Sequence, residues 1–79
     1  MRVKIFVLLK NGVLDPQGKA IERSLHILGY GEVREVRVGK YLEFDVDATS
    51  RETAEARVRE MCDKLLTNPV IEDYRFEIQ

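Results

Sequence analysis

The sequence predicts a small α+β domain in which an antiparallel sheet carries two helices on one face. Three observations lead there: hydrophobic alternation of period two at both ends of the chain, two intervening blocks with a period near that of the α-helix, and their order along the chain. That order is strand, helix, a long strand or hairpin, helix, strand.

The first strand is read in R-V-K-I-F-V-L-L, where Val3, Ile5, Val7 and Leu9 share one face. Phe6 and Leu8 make the opposite face apolar as well, and such a strand calls for cover on both sides. The loop K-N-G-V-L-D-P follows. Asn11-Gly12 is a turn signal, whereas in Asp15-Pro16 the aspartate can cap a helix and the proline suits its first position. The helix shows Ile21, Leu25 and Leu28 at i, i+4, i+7, flanked by Ala20, Ser24 and Ile27, with Lys19, Glu22, Arg23 and His26 elsewhere. Gly29 supplies a left-handed stop. Further on, Thr49 with Glu52 matches a capping box, and Ala54, Val58, Met61 and Leu65 continue as a helical stripe until Asn68-Pro69. In the last segment Tyr74, Phe76 and Ile78 alternate with Asp73, Arg75 and Glu77, the pattern of a half-buried strand.

The middle segment is V-R-V-G-K-Y-L-E-F-D-V-D, Val36 to Asp47, prefaced by Val33. If it is a hairpin, the whole chain is a split β-α-β, ferredoxin-like fold. A two-residue Gly39-Lys40 turn would set Val38 opposite Tyr41 and turn Leu42, Phe44 and Val46 to the wrong face. A three-residue loop from Gly39 to Tyr41 restores the faces but puts Tyr41 where a left-handed conformation is usual. A single strand from Val33 to Asp47 satisfies every face without a turn, and at about 3.3 Å per residue it runs roughly 45 to 50 Å. Compact chains of this length have a radius of gyration of only about 12 Å. So long a strand would overhang its own sheet and leave backbone groups to be paired by another molecule. The favoured expectation is therefore an intertwined or segment-swapped dimer whose long central strand crosses near Gly39. Phe6, Leu8, Val38 and Leu42 are its expected self-association residues. Lys40, a charge on the apolar parity, is expected either to guard a sheet edge or to reach a partner's carboxylate.

Composition sets outer bounds. Residues 1–79 hold one domain, with no internal repeat, linker or low-complexity stretch. The 34% of charged residues nearly cancel, to a formal charge of -1, which gives no pull toward nucleic acid or membrane. The apolar run Ile5 to Leu9 is too short for a signal h-region or a bilayer span. Cys62 is the only cysteine, so no intrachain disulfide can form and the expected location is a reducing cytoplasm.

No residue set points to chemistry in this chain. His26, the single histidine, lies among polar helix positions and reads as a solvated side chain; Cys62 lies beside the apolar stripe without a CxxC companion and reads as a buried, inert thiol. Glu43, Asp45 and Asp47 line one strand face but lack the oxygen-rich loop geometry of a cation site. The loop K-N-G-V-L-D-P-Q-G is the best site candidate. It precedes a helix whose N-terminal amides could hold an anion, and Lys10 and Lys19 flank it, but it lacks a phosphate-cradle pattern; its Val13 and Leu14 need cover, which points instead to protein docking. A nucleic-acid role is set aside because the RNA-stacking signature of ferredoxin-like sheets is missing.

Three blocks, G-V-L-D-P-Q-G-K-A-I-E-R with L-G-Y-G-E-V, E-V-R-V-G-K-Y-L-E-F-D-V-D, and M-C-D-K-L-L-T-N-P-V-I-E-D-Y, resemble the PurS family in order and spacing from the first strand to Ile78. Members are small subunits of phosphoribosylformylglycinamidine (FGAM) synthase. Departures are mild, such as Leu42 where isoleucine is common. The resemblance implies a non-catalytic structural subunit in de novo purine biosynthesis, joining a glutaminase subunit to a synthetase subunit and assisting ammonia transfer between them. It implies no catalytic, cofactor or metal residue in this chain, with ATP and magnesium expected in the synthetase partner. The chain is expected to pair with itself as a dimer or a dimer of dimers. Val13, Leu14, Asp15, Pro16 and Gln17 are the expected contact with one enzyme partner, and Gly39, Lys40 and Tyr41 with another. Two rivals are weighed against this reading: an ACT-like small-ligand regulatory domain, and an acyl-phosphate hydrolase. The hydrolase would need an arginine in its phosphate loop, and only Asn11 is near one here.

Overall fold

Strand β1 (Arg2–Leu9) forms the middle of a three-stranded sheet in the computed structural model, which describes residues 1–79. Helix α1 (Pro16–Ile27), strand β2 (Gly39–Asp45), helix α2 (Arg51–Met61), a π-helical turn (Cys62–Leu66) and strand β3 (Glu72–Ile78) follow in that order. The sheet order is β2-β1-β3, and β1 is antiparallel to both neighbours.

The register sorts the strands into two faces. Val3 lies opposite Phe44 and Ile78, and Ile5 opposite Leu42 and Phe76, so one face is apolar across all three strands. Helix α2 covers this face. Val3, Ile5, Val7, Ala54, Val58, Cys62 and Ile78 form the buried core, with Leu42, Phe44, Leu66, Tyr74 and Phe76 packed against it. On the other face Phe6 meets Tyr41 at 5.0 Å between ring centroids, and the Arg75 guanidinium lies 3.9 Å from the Phe6 centroid. No helix covers Phe6 and Leu8, as their place on β1 implied.

Helix α2 differs from expectation at both ends. Its cap is Ser50 rather than Thr49: the Ser50 hydroxyl accepts the Thr53 amide at 3.1 Å. Adjacent hydroxyls offer the same capping chemistry, and spacing does not choose between them. The buried stripe is Ala54, Val58 and Cys62, while Met61 is half-buried and Leu65 is 81% exposed. The π turn explains the shift. The Cys62 carbonyl accepts both the Thr67 amide (3.0 Å) and the Thr67 hydroxyl (2.9 Å), and the extra residue in that turn rotates Leu66 onto the sheet in place of Leu65.

Helix α1 begins at Asp15-Pro16 and stops at Gly29 (φ 104°), as read from the sequence. The expectation of two helices over one face is met by α2 alone within one copy; α1 has only Gly18 buried and makes no substantial contact with the sheet. It runs instead beside residues 33–38, and the two form an arm that leaves the sheet at Gly39.

The Val33 to Asp47 segment is neither a hairpin nor one regular strand. Its second half is β2; its first half pairs with no strand, and Glu35 takes a left-handed conformation (φ 54°) that interrupts extension. The expected long central strand is therefore shortened. A strand needs a neighbour to fill its backbone groups, and within one copy residues 33–38 find α1 side chains in that role. The overhang is nonetheless present: the radius of gyration is 16.0 Å and the extents are 51 × 24 × 14 Å.

Candidate interaction site at the arm junction

The arm is laced to its own helix by side chains of one helical face. Asp15, Gly18, Glu22 and His26 recur at spacings of three and four, so they stack along α1 facing the extended segment. The Asp15 Oδ2 accepts the Val38 amide at 2.8 Å, Glu22 Oε1 accepts the Val36 amide at 3.2 Å, and the His26 Nε2–H donates to the Val33 carbonyl at 2.7 Å. Gly18 gives the close approach between them, since a Cβ there would run into the Val36 carbonyl. The second Asp15 oxygen caps the helix by accepting the Gly18 amide at 2.8 Å. Hydrogen bonds from the Val38 and Gly18 amides hold the Asp15 carboxyl below its ordinary value of 3.8.

At the base of the arm the two expected partner contacts meet. A cleft of about 320 Å3 is lined by Asp15, Pro16 and Gln17 from one, and Gly39 and Lys40 from the other, between Val7, Leu9 and Glu72. Gly39 lies so close to β1 that a Cβ would strike the Val7 carbonyl. Lys40 Nζ is 4.0 Å from Glu72 Oε1 of the same chain. Tyr41 turns away, onto the open sheet face beside Phe6. Val13 and Leu14 border a second, larger cleft, and Leu14 is 72% exposed.

The expected self-association residues divide as well. Phe6 and Leu8 lie on the open face, Val38 belongs to the arm, and Leu42 sits on the covered face against the core. Glu22 and His26, which hold the arm, carried no signal in the sequence beyond their helical spacing.

The chemistry-bearing side chains are otherwise engaged. Burial pushes the Cys62 thiol up, away from nucleophilic use, and the acidic strand row is partly neutralised by Arg2, 3.6 Å from Glu43 and 3.3 Å from Asp45. What remains uncovered is apolar surface on the arm, with Ile27 79% and Leu28 71% exposed beside Tyr30. An α+β domain with a projecting, uncovered apolar arm is of the class built for assembly.

The chain belongs to the PurS family: the family model described as phosphoribosylformylglycinamidine (FGAM) synthase matches residues 2–79. It is 50% identical over 78 residues to the phosphoribosylformylglycinamidine synthase subunit PurS of Bacillus subtilis, covering 99% of this chain and 92% of that one. The fold is similar to the crystal structure of B. subtilis PurS, with a TM-score of 0.88 over 99% of this chain and 96% of that one. It is equally similar, at TM-score 0.88 and 36% identity, to a chain in the structure of PurLQS from Thermotoga maritima, covering 96% of this chain and 93% of that one. No helix is long and apolar enough to cross a membrane.

Proposed function

We propose that this chain is the non-catalytic structural subunit of an FGAM synthase complex in purine biosynthesis, where it joins a glutaminase subunit to a synthetase subunit and assists ammonia transfer. The complex converts formylglycinamide ribonucleotide to FGAM with glutamine and ATP, the ATP and magnesium being held by the synthetase, in the cytoplasm. The observation that carries the reading is the arm, which exposes Ile27, Leu28 and Tyr30 while committing its polar groups to its own backbone. Free ammonia would be protonated and diluted in water, so a donor site and an acceptor site need fixed apposition. A rigid, cross-braced arm is suited to hold it.

The same arm supports a dimer. Successive amides of an extended segment point to opposite sides. With the Val36 and Val38 amides turned toward α1, the Arg37 edge is left for the outer edge of a second copy's β2, which is unpaired within one copy. The stripe Ile21 and Leu25 of that arm would then cover the Leu42 and Phe44 side of the second sheet, which α2 leaves half-buried. The ACT-like alternative is not favoured, because family membership extends over the whole matched length.

Reconstitution with the cognate glutaminase and synthetase tests the role. Omitting this chain should abolish glutamine-driven turnover while turnover with supplied ammonium persists. Equal activity with glutamine in its absence would overturn the reading.

A further inference from the structure

The largest cleft in the molecule, about 410 Å3, lies on the far side of the loop before α1, between that loop and the arm. Lys10, Lys19 and Arg37 line it. None of the three takes part in the chain's ion pairs, which engage Arg2, Lys40, Arg57, Lys64 and Arg75. Arg37 is steadied by donating to Asn11 Oδ1 at 3.3 Å. Two carboxylates also border the cleft, Asp15 and Glu35, so its lining has an excess of one positive charge. Lys10 and Lys19 are two cations there without an ion-pair partner, in a chain whose formal charge is -1. Its apolar wall is Val13 and the 72% exposed Leu14.

We propose that this cleft receives an acidic segment of one of the enzyme partners, with carboxylates facing Lys10, Lys19 and Arg37 around an apolar side chain laid on Leu14. The proposal rests on the assembly role given above and supplies the chemistry of one contact. Charge complementarity carries it: cations left without partners at a rim are arranged to steer and orient an anionic surface, and an exposed leucine among them needs apolar cover. A small phosphorylated ligand fits less well, because such sites enclose most of the ligand, and here the wall is one exposed loop against an arm.

The test is the affinity of this chain for its cognate glutaminase and synthetase, measured in the complex for wild type, Lys10→Glu, Lys19→Glu, Leu14→Ser and the control Arg51→Glu. Lys10→Glu and Lys19→Glu are each expected to weaken assembly roughly fivefold and to flatten its salt dependence. Leu14→Ser should weaken it without changing the salt slope. Arg51→Glu, which alters net charge equally on α2, should leave it unchanged. Assembly indifferent to the two lysine reversals, or weakened as much by Arg51→Glu, overturns this proposal alone. Failure of the wild-type chain to join its partners overturns the assembly role and this contact with it. Titration of the isolated chain with sodium phosphate and with ATP should give no saturable heat; saturable binding lost in Lys10→Glu would replace the proposal with a small-anion site.

Discussion

Asp15 and Val38, 23 residues apart, are joined by a 2.8 Å hydrogen bond from the Val38 amide to Asp15 Oδ2, while Oδ1 of the same carboxylate caps α1 through Gly18. One side chain thus sets both where the helix begins and where the arm lies against it. Removing it should loosen both. Asp15→Ala is expected to speed hydrogen exchange at the Val38 amide by about tenfold, and Asp15→Asn, which retains an accepting oxygen and a good cap, by less.

The same bonds set a pH dependence. The Val38 and Gly18 amides depress the Asp15 carboxyl below 3.8, so its contribution is complete above that value and is lost as pH falls through the lower, folded value. The Asp15–Val38 bond should therefore be indifferent to pH between about 5 and 8 and be lost only in stronger acid. The Val38 amide resonance followed through an acid titration checks this. A transition near neutrality would assign control to another group.

Gly18 and Gly39 are close-approach positions. A Cβ on either would meet backbone oxygen, of Val36 and Val7 respectively, which cannot swing aside as a side chain can. Gly39→Ala and Gly18→Ala should each destabilise the fold by about 1–3 kcal/mol in denaturant unfolding. Gly39→Ala is expected to act on the β1–β2 pairing and Gly18→Ala on the arm, a difference that exchange rates at the amides of Tyr41 and Val36 resolve.

In the π turn, Thr67→Val removes the hydroxyl bond to the Cys62 carbonyl while keeping volume, at a cost of about 1 kcal/mol. Val58→Ala, at a fully buried position, should cost more, about 2 kcal/mol. Both are read as midpoint shifts in urea, with the slope unchanged.

The elements legible in the sequence are those whose causes are local. Asp15-Pro16 and Gly29 bracket α1 because capping and a left-handed stop act within a turn, and the alternation of Tyr74, Phe76 and Ile78 reports the face of β3 directly. Parity also excluded a tight hairpin at Gly39-Lys40, since it would have turned Leu42 and Phe44 outward, and both face the core. The rest depends on distant contacts. The π turn has no mark in composition and moves burial by one residue, from Leu65 to Leu66. Glu35 has a side chain that gives no warning of positive φ. At the arm junction Asp15 was legible from cap chemistry; the close approach of Gly39 to Val7 and the bonds of Glu22 and His26 were not, because their partners are backbone groups whose position only the folded chain defines.

We propose that the arm of one copy covers the sheet of a second. Isotope-filtered NOE measurements on a mixture of labelled and unlabelled chains test it most directly. Contacts between chains are expected from Ile21 and Leu25 to Leu42 and Phe44, in a particle of twice the chain mass. The same contacts found only within a chain, in a stable particle of one copy, would contradict it.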